Sequence, residues 1–281
     1  MNILVTGATG RVGSRLVPRL LDQGYSVSVL VRNPEHTRDL QRLGAEIMIG
    51  DLLQPQTLQE AAAHKDAIVH LAAAFRGVAP EVSHAVNMDG TIALADAALA
   101  EGVPRFIYAS TNLVYGPGTD ERYFNEEDLP VPISPYPIAK AAAERELLNL
   151  YRSRGLGLCI LRLAFVYGDG DPHLEEGVLK FRQWHPAQRI HLVHQADVAQ
   201  AVMLGIESPR AKGQIFNVAD DQPVSAAEIL SMYNETMPDD AVSRTVDPSW
   251  LQLVDTAKIR EQLEFRPNYP SLYRALNEGA L

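Results

Sequence analysis

A phenol and an ammonium group lie four residues apart in the segment that runs from Tyr136 to Lys140. Pro137 fits the first turn of a helix, where its missing N–H costs nothing, and the i, i+4 spacing then puts both groups on one helix face. A phenol with a pKa of about 10 is a poor acid–base catalyst at neutral pH, but a neighbouring cation favours its phenolate form. The pair therefore indicates acid–base catalysis, although a half-buried tyrosine beside a solvated lysine is the common alternative.

Two hydroxyl groups follow a predicted strand upstream of this pair. Ser110 and Thr111 come directly after the apolar run 105–109, and Asn112 follows them. Ligands of open α/β sheets bind at the carboxyl ends of strands, so one of these hydroxyls could polarise a substrate carbonyl. Ser and Thr also form turns at strand ends, and the functional interpretation therefore depends on the nearby Tyr136.

A glycine-rich segment lies between the first predicted strand and the first predicted helix, with glycines at positions 7, 10 and 13. Glycines let backbone N–H groups approach a pyrophosphate, and the helix N-terminus adds a favourable field for the anion. Glycines also serve ordinary tight turns, but strand, glycines and helix together indicate a dinucleotide site. We expect the cofactor to contact Gly7, Thr9, Gly10, Arg11, Val12 and Gly13.

The second predicted strand ends with Val31 followed by Arg32. NAD-binding sites usually place an acidic side chain here for the ribose 2′-hydroxyl. Arg32 and Arg11 could instead hold a 2′-phosphate through charge-assisted hydrogen bonds, with solvated surface arginines as the alternative. The sequence therefore favours NADP over NAD as the cofactor.

Two further strand ends complete the expected cofactor site. A carboxylate after the third strand could accept a hydrogen bond from the adenine amino group, and the residues after the fourth strand lie beside the cofactor path. Ordinary turn and strand-end chemistry is the alternative for both. The residues concerned are Asp51, Leu52, Leu71, Ala72 and Ala73.

Short apolar strands alternate with longer helical patterns in the first half of the chain, which is typical of βαβ units that build a parallel sheet. Right-handed crossovers then give a Rossmann-type, doubly wound α/β sheet. Pro18 requires the first helix to be kinked or to begin later than residue 11. The predicted strands are 2–6, 26–31, 45–49, 67–70, 105–109 and 157–163, and the predicted helices are 11–23, 56–63, 82–101, 137–153, 196–207 and 225–236.

The regular alternation of strands and helices ends near residue 164. We expect residues 1–163 to form the dinucleotide-binding core that carries the tyrosine and the lysine. Residues 164–281 are expected to complete the sheet and to form a small substrate-binding region. The apolar runs 190–193 and 214–218 could be strands of the same sheet or of a small local one.

The composition restricts the class of protein. The 281 residues can bury a sizeable core without disulfides or metals, and the formal net charge of -10 disfavours non-specific nucleic-acid binding. No apolar run is long enough to span a bilayer, and the N-terminus does not read as a signal peptide. With Cys159 as the single cysteine, we expect a cytoplasmic protein with a small-molecule ligand and with no metal, nucleic-acid or membrane partner.

The motifs, taken in their order along the chain, resemble those of the extended short-chain dehydrogenase/reductase family, the NAD-dependent epimerase/dehydratase group. The resemblance extends over nearly the whole chain. The resemblance implies that Thr111 polarises the substrate, that Tyr136 is the acid–base tyrosine, and that Lys140 binds ribose and lowers the tyrosine pKa. It also implies that Asn87, which we count among the cofactor-binding residues, supports the active-site helix. The matching motifs are the glycine loop, 51–52, 70–73, 87–91, 110–116, Tyr136 with Lys140, 161–163, 197–199 and 216–218.

The resemblance implies hydride transfer between a nicotinamide and a substrate carbon. The leading hypothesis is an NAD(P)-dependent epimerase or oxidoreductase that acts on a hydroxyl or carbonyl carbon of a sugar nucleotide or a related polyhydroxylated substrate. A homodimer through the helices 82–101 and 137–153 would be usual for the family. We expect the substrate to contact Ser110, Thr111, Asn112 and Phe165.

Two departures from the family pattern weaken the case for a sugar nucleotide. The stretch 168–193 is short compared with sugar-nucleotide epimerases, and the Asn that often follows the Leu-Arg-Leu strand is replaced near Ala164 and Phe165. An NADPH-dependent reductase of a non-nucleotide carbonyl is the alternative, with a non-catalytic NADP sensor as a further one. A diphosphate could still meet basic residues, which a solvated face explains equally, at Lys180, Arg182, Arg189 and Arg210.

Overall fold

Parallel strands form one central sheet in the computed structural model, which describes residues 1–75, 77–119 and 122–281. The strands are β1 (Asn2–Thr6), β2 (Ser26–Val31), β3 (Glu46–Ile49), β4 (Ala67–His70), β5 (Phe106–Thr111), β6 (Leu158–Leu163), β7 (Phe165–Tyr167), β8 (Arg189–Ile190), β9 (Leu192–His194), β10 (Gln214–Val218) and β11 (Val224–Ser225). Within the described residues, the central sheet has the order β10-β6-β5-β4-β1-β2-β3, and its neighbouring strands are parallel. The predicted doubly wound α/β fold is confirmed.

The apolar runs of the C-terminal half divide between this sheet and two small ones. Residues 214–218 form β10, which extends the central sheet beside β6. The run 190–193 is split between β8, which pairs with β11, and β9, which pairs with β7. The C-terminal half thus adds β10 to the central sheet and builds a local structure of its own.

Helices cover both faces of the sheet. The first helix begins at Gly13 and continues through Pro18, so the later start is found and the proline does not end the helix. The helices are α1 (Gly13–Asp22), α2 (Arg38–Arg42), α3 (Pro55–Ala62), α4 (Pro80–His84), α5 (Gly90–Ala100), α6 (Pro135–Arg154), α7 (His173–Glu176), α8 (Val178–Phe181), α9 (Gln195–Glu207), α10 (Ala226–Met232), α11 (Ala257–Leu263) and α12 (Leu272–Asn277).

The single helix that the sequence predicts over 82–101 is divided in the structure. A π-helical turn over Ala85–Asp89 separates α4 from α5. This turn carries Asn87, whose side-chain amide accepts a hydrogen bond from the Ala74 N–H at 2.9 Å and donates one to the Ala74 carbonyl at 2.8 Å. Single π turns are frequent at functional sites, and this one holds the loop that follows β4.

Alternate side chains of β1 enter two different hydrophobic layers. Ile3 and Val5 belong to the layer that includes side chains of α1 and α9, whereas Leu4 belongs to the layer that includes α3, α5 and α6. All three side chains are fully buried, and burying each one stabilises the fold by about 1.5–3 kcal/mol. A third layer, which includes Tyr167 and Phe181, forms the core of the C-terminal half.

The order of the strands fixes where a ligand can bind. From β1 the chain continues to β2 and β3 on one side, and it later returns to β4, β5 and β6 on the other. The loops after β1 and β4 therefore diverge and leave a crevice at the carboxyl ends of these strands. Within the described residues, no helix has the length and apolar character that a membrane span requires.

Candidate active site

A cavity of about 780 Å³ opens at the carboxyl ends of the central strands. This is the edge where open α/β sheets bind ligands, and the volume lies in the range of small-molecule sites. Almost all of the predicted site residues line it, namely Gly7, Thr9, Gly10, Arg11, Val12, Gly13, Arg32, Asp51, Leu52, Leu71, Ala72, Ala73, Ser110, Thr111, Asn112, Tyr136, Lys140 and Phe165.

The glycine loop has a shape that side chains would destroy. Gly7 has a positive φ of 72°, and a Cβ atom there would lie 2.6 Å from the Ala72 backbone nitrogen. A Cβ atom on Gly13 would collide with the Gly7 carbonyl oxygen. No side chain caps the N-terminus of α1, and the Ser14 and Arg15 N–H groups donate to the Gly10 and Val12 carbonyls, which within the described residues leaves the Gly13 N–H for a ligand. The loop therefore fits the pyrophosphate of a dinucleotide.

A buried histidine ties this loop to the helix behind the cavity. His70 is fully buried, and its two ring nitrogens lie 2.6 Å from the Thr6 hydroxyl and 2.9 Å from the Thr91 hydroxyl. Because the Thr91 hydroxyl donates to the Asn87 carbonyl, it accepts from His70 Nε2, and Nδ1 accepts from Thr6. Burial lowers the pKa of His70 well below its usual value, which keeps the ring neutral.

The two arginines expected to hold a 2′-phosphate differ in their surroundings. The Arg11 guanidinium already pairs with Asp171 at 2.8 Å and with Glu176 at 2.6 Å. Arg32 is exposed at the end of β2 and lines the cavity, and no carboxylate of the described residues pairs with it. Two carboxylates thus compete for Arg11, so Arg32 is the stronger candidate for a phosphate contact, and the two-arginine clamp stays a prediction.

Asn87 lies outside the cavity wall formed by the described residues. It is fully buried, and its side-chain nitrogen donates to the Ala74 carbonyl and to the Ser83 hydroxyl. Its amide holds the loop after β4, and the expected cofactor contact of Asn87 stays a prediction. By contrast, Asp51 lines the cavity, and one of its carboxylate oxygens accepts from the Leu53 N–H at 3.0 Å.

Tyr136 and Lys140 both reach the cavity from the first turns of α6. Lys140 is 1% exposed, donates to the Ala109 carbonyl at 2.8 Å and lies over the Tyr108 ring at 4.4 Å. Tyr136 packs edge-on against Phe75, with ring centres 4.7 Å apart. The two predicted catalytic groups are thus brought to one wall of the cavity.

The ionisation of this pair differs from the sequence-based expectation. Burial raises the pKa of Tyr136 above its usual value, and burial lowers the pKa of Lys140 to about 7. The predicted lowering of the Tyr136 pKa is not found in the ligand-free chain, because the desolvation of Tyr136 outweighs the influence of the neighbouring Lys140. Both groups are therefore held in a site where their charged forms are costly.

The three polar residues at the carboxyl end of β5 are used differently. Thr111 lines the cavity, and its hydroxyl oxygen accepts from the Leu113 N–H at 3.2 Å, so its proton is free to face a substrate oxygen. The Ser110 hydroxyl donates instead to Glu144, and the Asn112 amide donates to the Gln252 carbonyl. These bonds use the Ser110 hydroxyl proton and the Asn112 NH2 group, while both residues line the cavity, so their predicted substrate contacts stay predictions.

Apolar and aromatic side chains form much of the remaining cavity wall. Phe165, predicted to contact substrate, stacks on His173 with ring centres 4.1 Å apart. His191 also lines the cavity, and burial lowers its pKa to about 4, which keeps this ring neutral as well. The apolar members of this wall are Phe75, Val78, Val82, Phe165, Ile190 and Trp250.

The basic residues that the sequence offers for a diphosphate lie elsewhere. Lys180 is positioned over the Trp250 ring at 3.3 Å, and Arg182 pairs with Glu235. Of the described residues that line the cavity, none is Lys180, Arg182, Arg189 or Arg210. Within the described parts of the chain, no group of three or more His, Cys, Asp and Glu side chains is placed to hold a metal ion.

Several residues of the site carry no motif that sequence reasoning singled out. Trp250 ends a short 3-10 helix over Pro248–Trp250 and Phe75 lies in an irregular segment, and nothing in their local sequence relates them to a site. Glu144 lies one helical turn beyond Lys140 and could have been found from this spacing. Its contacts with Ser110 and Arg162 join three elements that are far apart in sequence.

The sequence model of the NAD dependent epimerase/dehydratase family matches residues 3–219. A 4-hydroxy-2-methyl-3-oxo-4-farnesyl-3,4-dihydroquinoline-1-oxide ketoreductase from Stigmatella aurantiaca is 30% identical over 247 residues, covering 84% of this chain and 73% of that protein. A UDP-glucose 4-epimerase from Vibrio cholerae is 30% identical over 246 residues, covering 82% of this chain and 74% of that protein. A crystal structure of a short-chain dehydrogenase/reductase superfamily protein from Agrobacterium tumefaciens with bound NAD matches with a TM-score of 0.81 and 26% identity, covering 99% and 95% of the two chains.

Proposed function

Because the chain belongs to the NAD-dependent epimerase/dehydratase family, we propose that it is an NADPH-dependent reductase of a carbonyl group in an apolar, non-nucleotide substrate. The apolar cavity wall carries this proposal. Apolar side chains recognise apolar surface, whereas a diphosphate loses its strong hydration on burial and needs cations or hydrogen-bond donors in return. The wall in question includes Phe75 against Tyr136, together with Val78, Val82, Phe165, Ile190 and Trp250.

A relative supports the reductase assignment. The similar protein from Stigmatella aurantiaca is a ketoreductase, and its identity of 30% extends over 84% of this chain. Reductases and epimerases of the family share these sequence motifs, so the motifs do not distinguish the two activities. The choice between them therefore depends on the lining of the cavity.

The proposed preference for NADP depends on Arg32. Arg32 follows β2 at the position where NAD-binding sites usually carry an acidic residue, which would repel a 2′-phosphate. Its guanidinium borders the cavity, and among the described residues it has no carboxylate partner. A guanidinium binds phosphate through two parallel charge-assisted hydrogen bonds. The glycine loop would hold the pyrophosphate of the same dinucleotide at the N-terminus of α1.

The proposed roles of the remaining residues follow from their positions. A bound nicotinamide would supply the hydride that adds to the carbonyl carbon. The Thr111 hydroxyl would donate a hydrogen bond to the carbonyl oxygen, and Tyr136 would give that oxygen its phenolic proton and later regain one from water. Lys140 would hold the ribose and stabilise the phenolate left on Tyr136. The net reaction converts the carbonyl and NADPH, with one proton, into an alcohol and NADP.

This proposal is tested by following NADPH oxidation with a panel of aryl and alkyl ketones and with UDP-sugars. We expect turnover with the ketones, and we expect Tyr136→Phe to abolish it while the affinity for NADPH stays near the wild-type value. Tyr233→Phe, in the C-terminal core, is the matched control and should keep its turnover. Full turnover by Tyr136→Phe, or turnover with UDP-sugars alone, would contradict the proposal.

A second candidate is an epimerase that acts on a sugar nucleotide, the leading hypothesis from the sequence. The identity of 30% with the UDP-glucose 4-epimerase from Vibrio cholerae favours it. An epimerase retains its cofactor and shows no net change in NAD(P)H during turnover. The same assay therefore separates the two candidates, because only a reductase consumes NADPH in proportion to product.

The expected assembly and location also remain proposals. In the helices that the sequence assigns to a dimer, Ile138 is an apolar side chain that is 48% exposed and that a second copy would cover. The single cysteine, Cys159, is free and buried, which agrees with a reducing cytoplasm. Sedimentation of the purified protein would test the dimer, since a monomer at micromolar concentration would contradict it.

A further inference from the structure

Three side chains of α6 lie at successive helical turns behind the cavity. Tyr136, Lys140 and Glu144 are spaced four residues apart, so they share one face of the helix. Lys140 and Glu144 are 1% and 2% exposed. A buried cation thus has a buried anion for its helical neighbour, although no direct hydrogen bond joins the two.

Glu144 is fixed from two strands of the sheet. The Arg162 side chain of β6 donates to both carboxylate oxygens, at 3.1 and 3.2 Å from Nε and at 2.6 Å from Nη2. The Ser110 hydroxyl of β5 donates to one of the same oxygens. Ser110 and Arg162 are partners in the register between β5 and β6. Glu144 is therefore held in one position by an ion pair and a hydroxyl group.

The surroundings of Lys140 contain few groups that favour its charge. The titratable and charged groups that face it are His70 of β4, Tyr108 of β5, Tyr136 and Glu144 of α6, and Arg162 behind Glu144. Burial lowers the pKa of His70 and raises the pKa of both tyrosines, so these three are neutral at neutral pH. Glu144 is the anion of this set.

We propose that Glu144 is a positioning residue that keeps the Lys140 ammonium charged beside the cofactor site, with Ser110 and Arg162 holding the carboxylate in place. Burial lowers the pKa of Lys140 to about 7, and the charge of Glu144 opposes this lowering. Without that carboxylate the pKa of Lys140 would fall further, so Lys140 would be uncharged at neutral pH and could no longer support a phenolate on Tyr136. The inference rests on the role proposed above for Lys140.

Opposite substitutions in the ion pair give opposite predictions. Glu144→Gln removes the anion one helical turn from Lys140, so the alkaline limb of the kcat/KM profile should move to lower pH by about one unit or more. Arg162→Gln leaves the carboxylate without its partner, so the limb should move to higher pH. A merely structural role would lower kcat without moving the limb.

The affinity for NADPH supplies a second readout that does not depend on turnover. The pH at which the NADPH Kd begins to rise should shift in the same directions, because the charged Lys140 would hold the ribose. If Glu144→Gln does not fold because Arg162 is left unpaired, the double variant Glu144→Gln/Arg162→Gln restores neutrality. The alkaline limb of the double variant should lie at a pH between those of the two single variants. It should also lie at a lower pH than that of the wild type, since Glu144 is the charge nearer to Lys140.

An unchanged limb and an unchanged Kd profile in Glu144→Gln, or in the double variant, would overturn the inference. This outcome differs from failure of the proposed function. If Tyr136→Phe kept full turnover, the proposed acid–base chemistry would be wrong whatever Glu144 does. If Tyr136→Phe is inactive and Glu144→Gln titrates like the wild type, only the assignment of Glu144 fails.

Discussion

Replacing Lys140 with methionine should remove a pH dependence from the stability of the ligand-free protein. The pKa of Lys140 is lowered by burial from 10.5 to about 7 in the folded protein. Between these two values the unfolded chain binds one more proton than the folded chain, so the free energy of unfolding of the wild type rises with pH. Methionine fills similar space without a proton to release, so Lys140→Met lacks this rise.

The size of the effect follows from the shift. Each unit of pKa corresponds to about 1.4 kcal/mol, and half of the folded molecules already lack the proton at about pH 7. The free energy of unfolding of the wild type should therefore gain about 2 kcal/mol over Lys140→Met between about pH 7 and about pH 9. Urea unfolding of both proteins across this range measures the difference directly.

Comparing the two proteins at each pH cancels the groups that they share. Cys159, whose pKa burial raises to about 12, titrates alike in wild type and variant. Lys212→Met, at an exposed lysine, is the matched control and should run parallel to the wild type. If Lys140→Met also runs parallel to the wild type, Lys140 does not carry the lowered pKa, and the reasoning about its charge is refuted.

Three further substitutions test separate parts of the site. Arg32→Ala should weaken NADP binding at least about tenfold and leave NAD nearly unchanged, as isothermal titration can measure, and equal losses would exclude a 2′-phosphate contact. Gly13→Ala should remove binding of both dinucleotides, because the new Cβ meets the Gly7 carbonyl oxygen, and near-normal binding would contradict this cradle geometry. Trp250→Ala should raise KM for apolar ketones more than it lowers kcat, and an unchanged KM would remove Trp250 from the substrate site.

The central sheet could be predicted from the sequence because its strands carry their own signals. The apolar runs at 2–6, 26–31 and 67–70 coincide with β1, β2 and β4, since strands buried on both faces are apolar throughout. Most of the predicted cofactor and catalytic residues also line the cavity, because they lie at strand ends or helix starts. Local patterns suffice for features that neighbouring residues determine.

Features that depend on distant residues could not be predicted in this way. The pairing of Arg11 with Asp171 joins positions 160 residues apart, and no local pattern indicates that this arginine is already occupied. The Ser110 hydroxyl faces Glu144 because α6 packs on β5, which the strand-end position of Ser110 does not reveal. The division of helix 82–101 similarly depends on the contact between Asn87 and Ala74.

The charges at the catalytic pair show the same limit. The spacing of Tyr136 and Lys140 predicts that the cation lowers the tyrosine pKa, but the spacing does not report how deeply both groups are buried. In the folded chain, burial raises the pKa of Tyr136 and lowers the pKa of Lys140. Desolvation therefore outweighs the helical proximity that the sequence shows.

Transfer of deuterium from NADPH labelled at nicotinamide C4 tests the proposed function most directly. The protein would be given this cofactor with an apolar ketone and, separately, with a UDP-sugar, and mass spectrometry would locate the label. We predict one deuterium on the new alcohol carbon of the ketone product for each NADPH consumed. Isomerised UDP-sugar without deuterium and without NADPH consumption, together with an unreacted ketone, would contradict the proposed function.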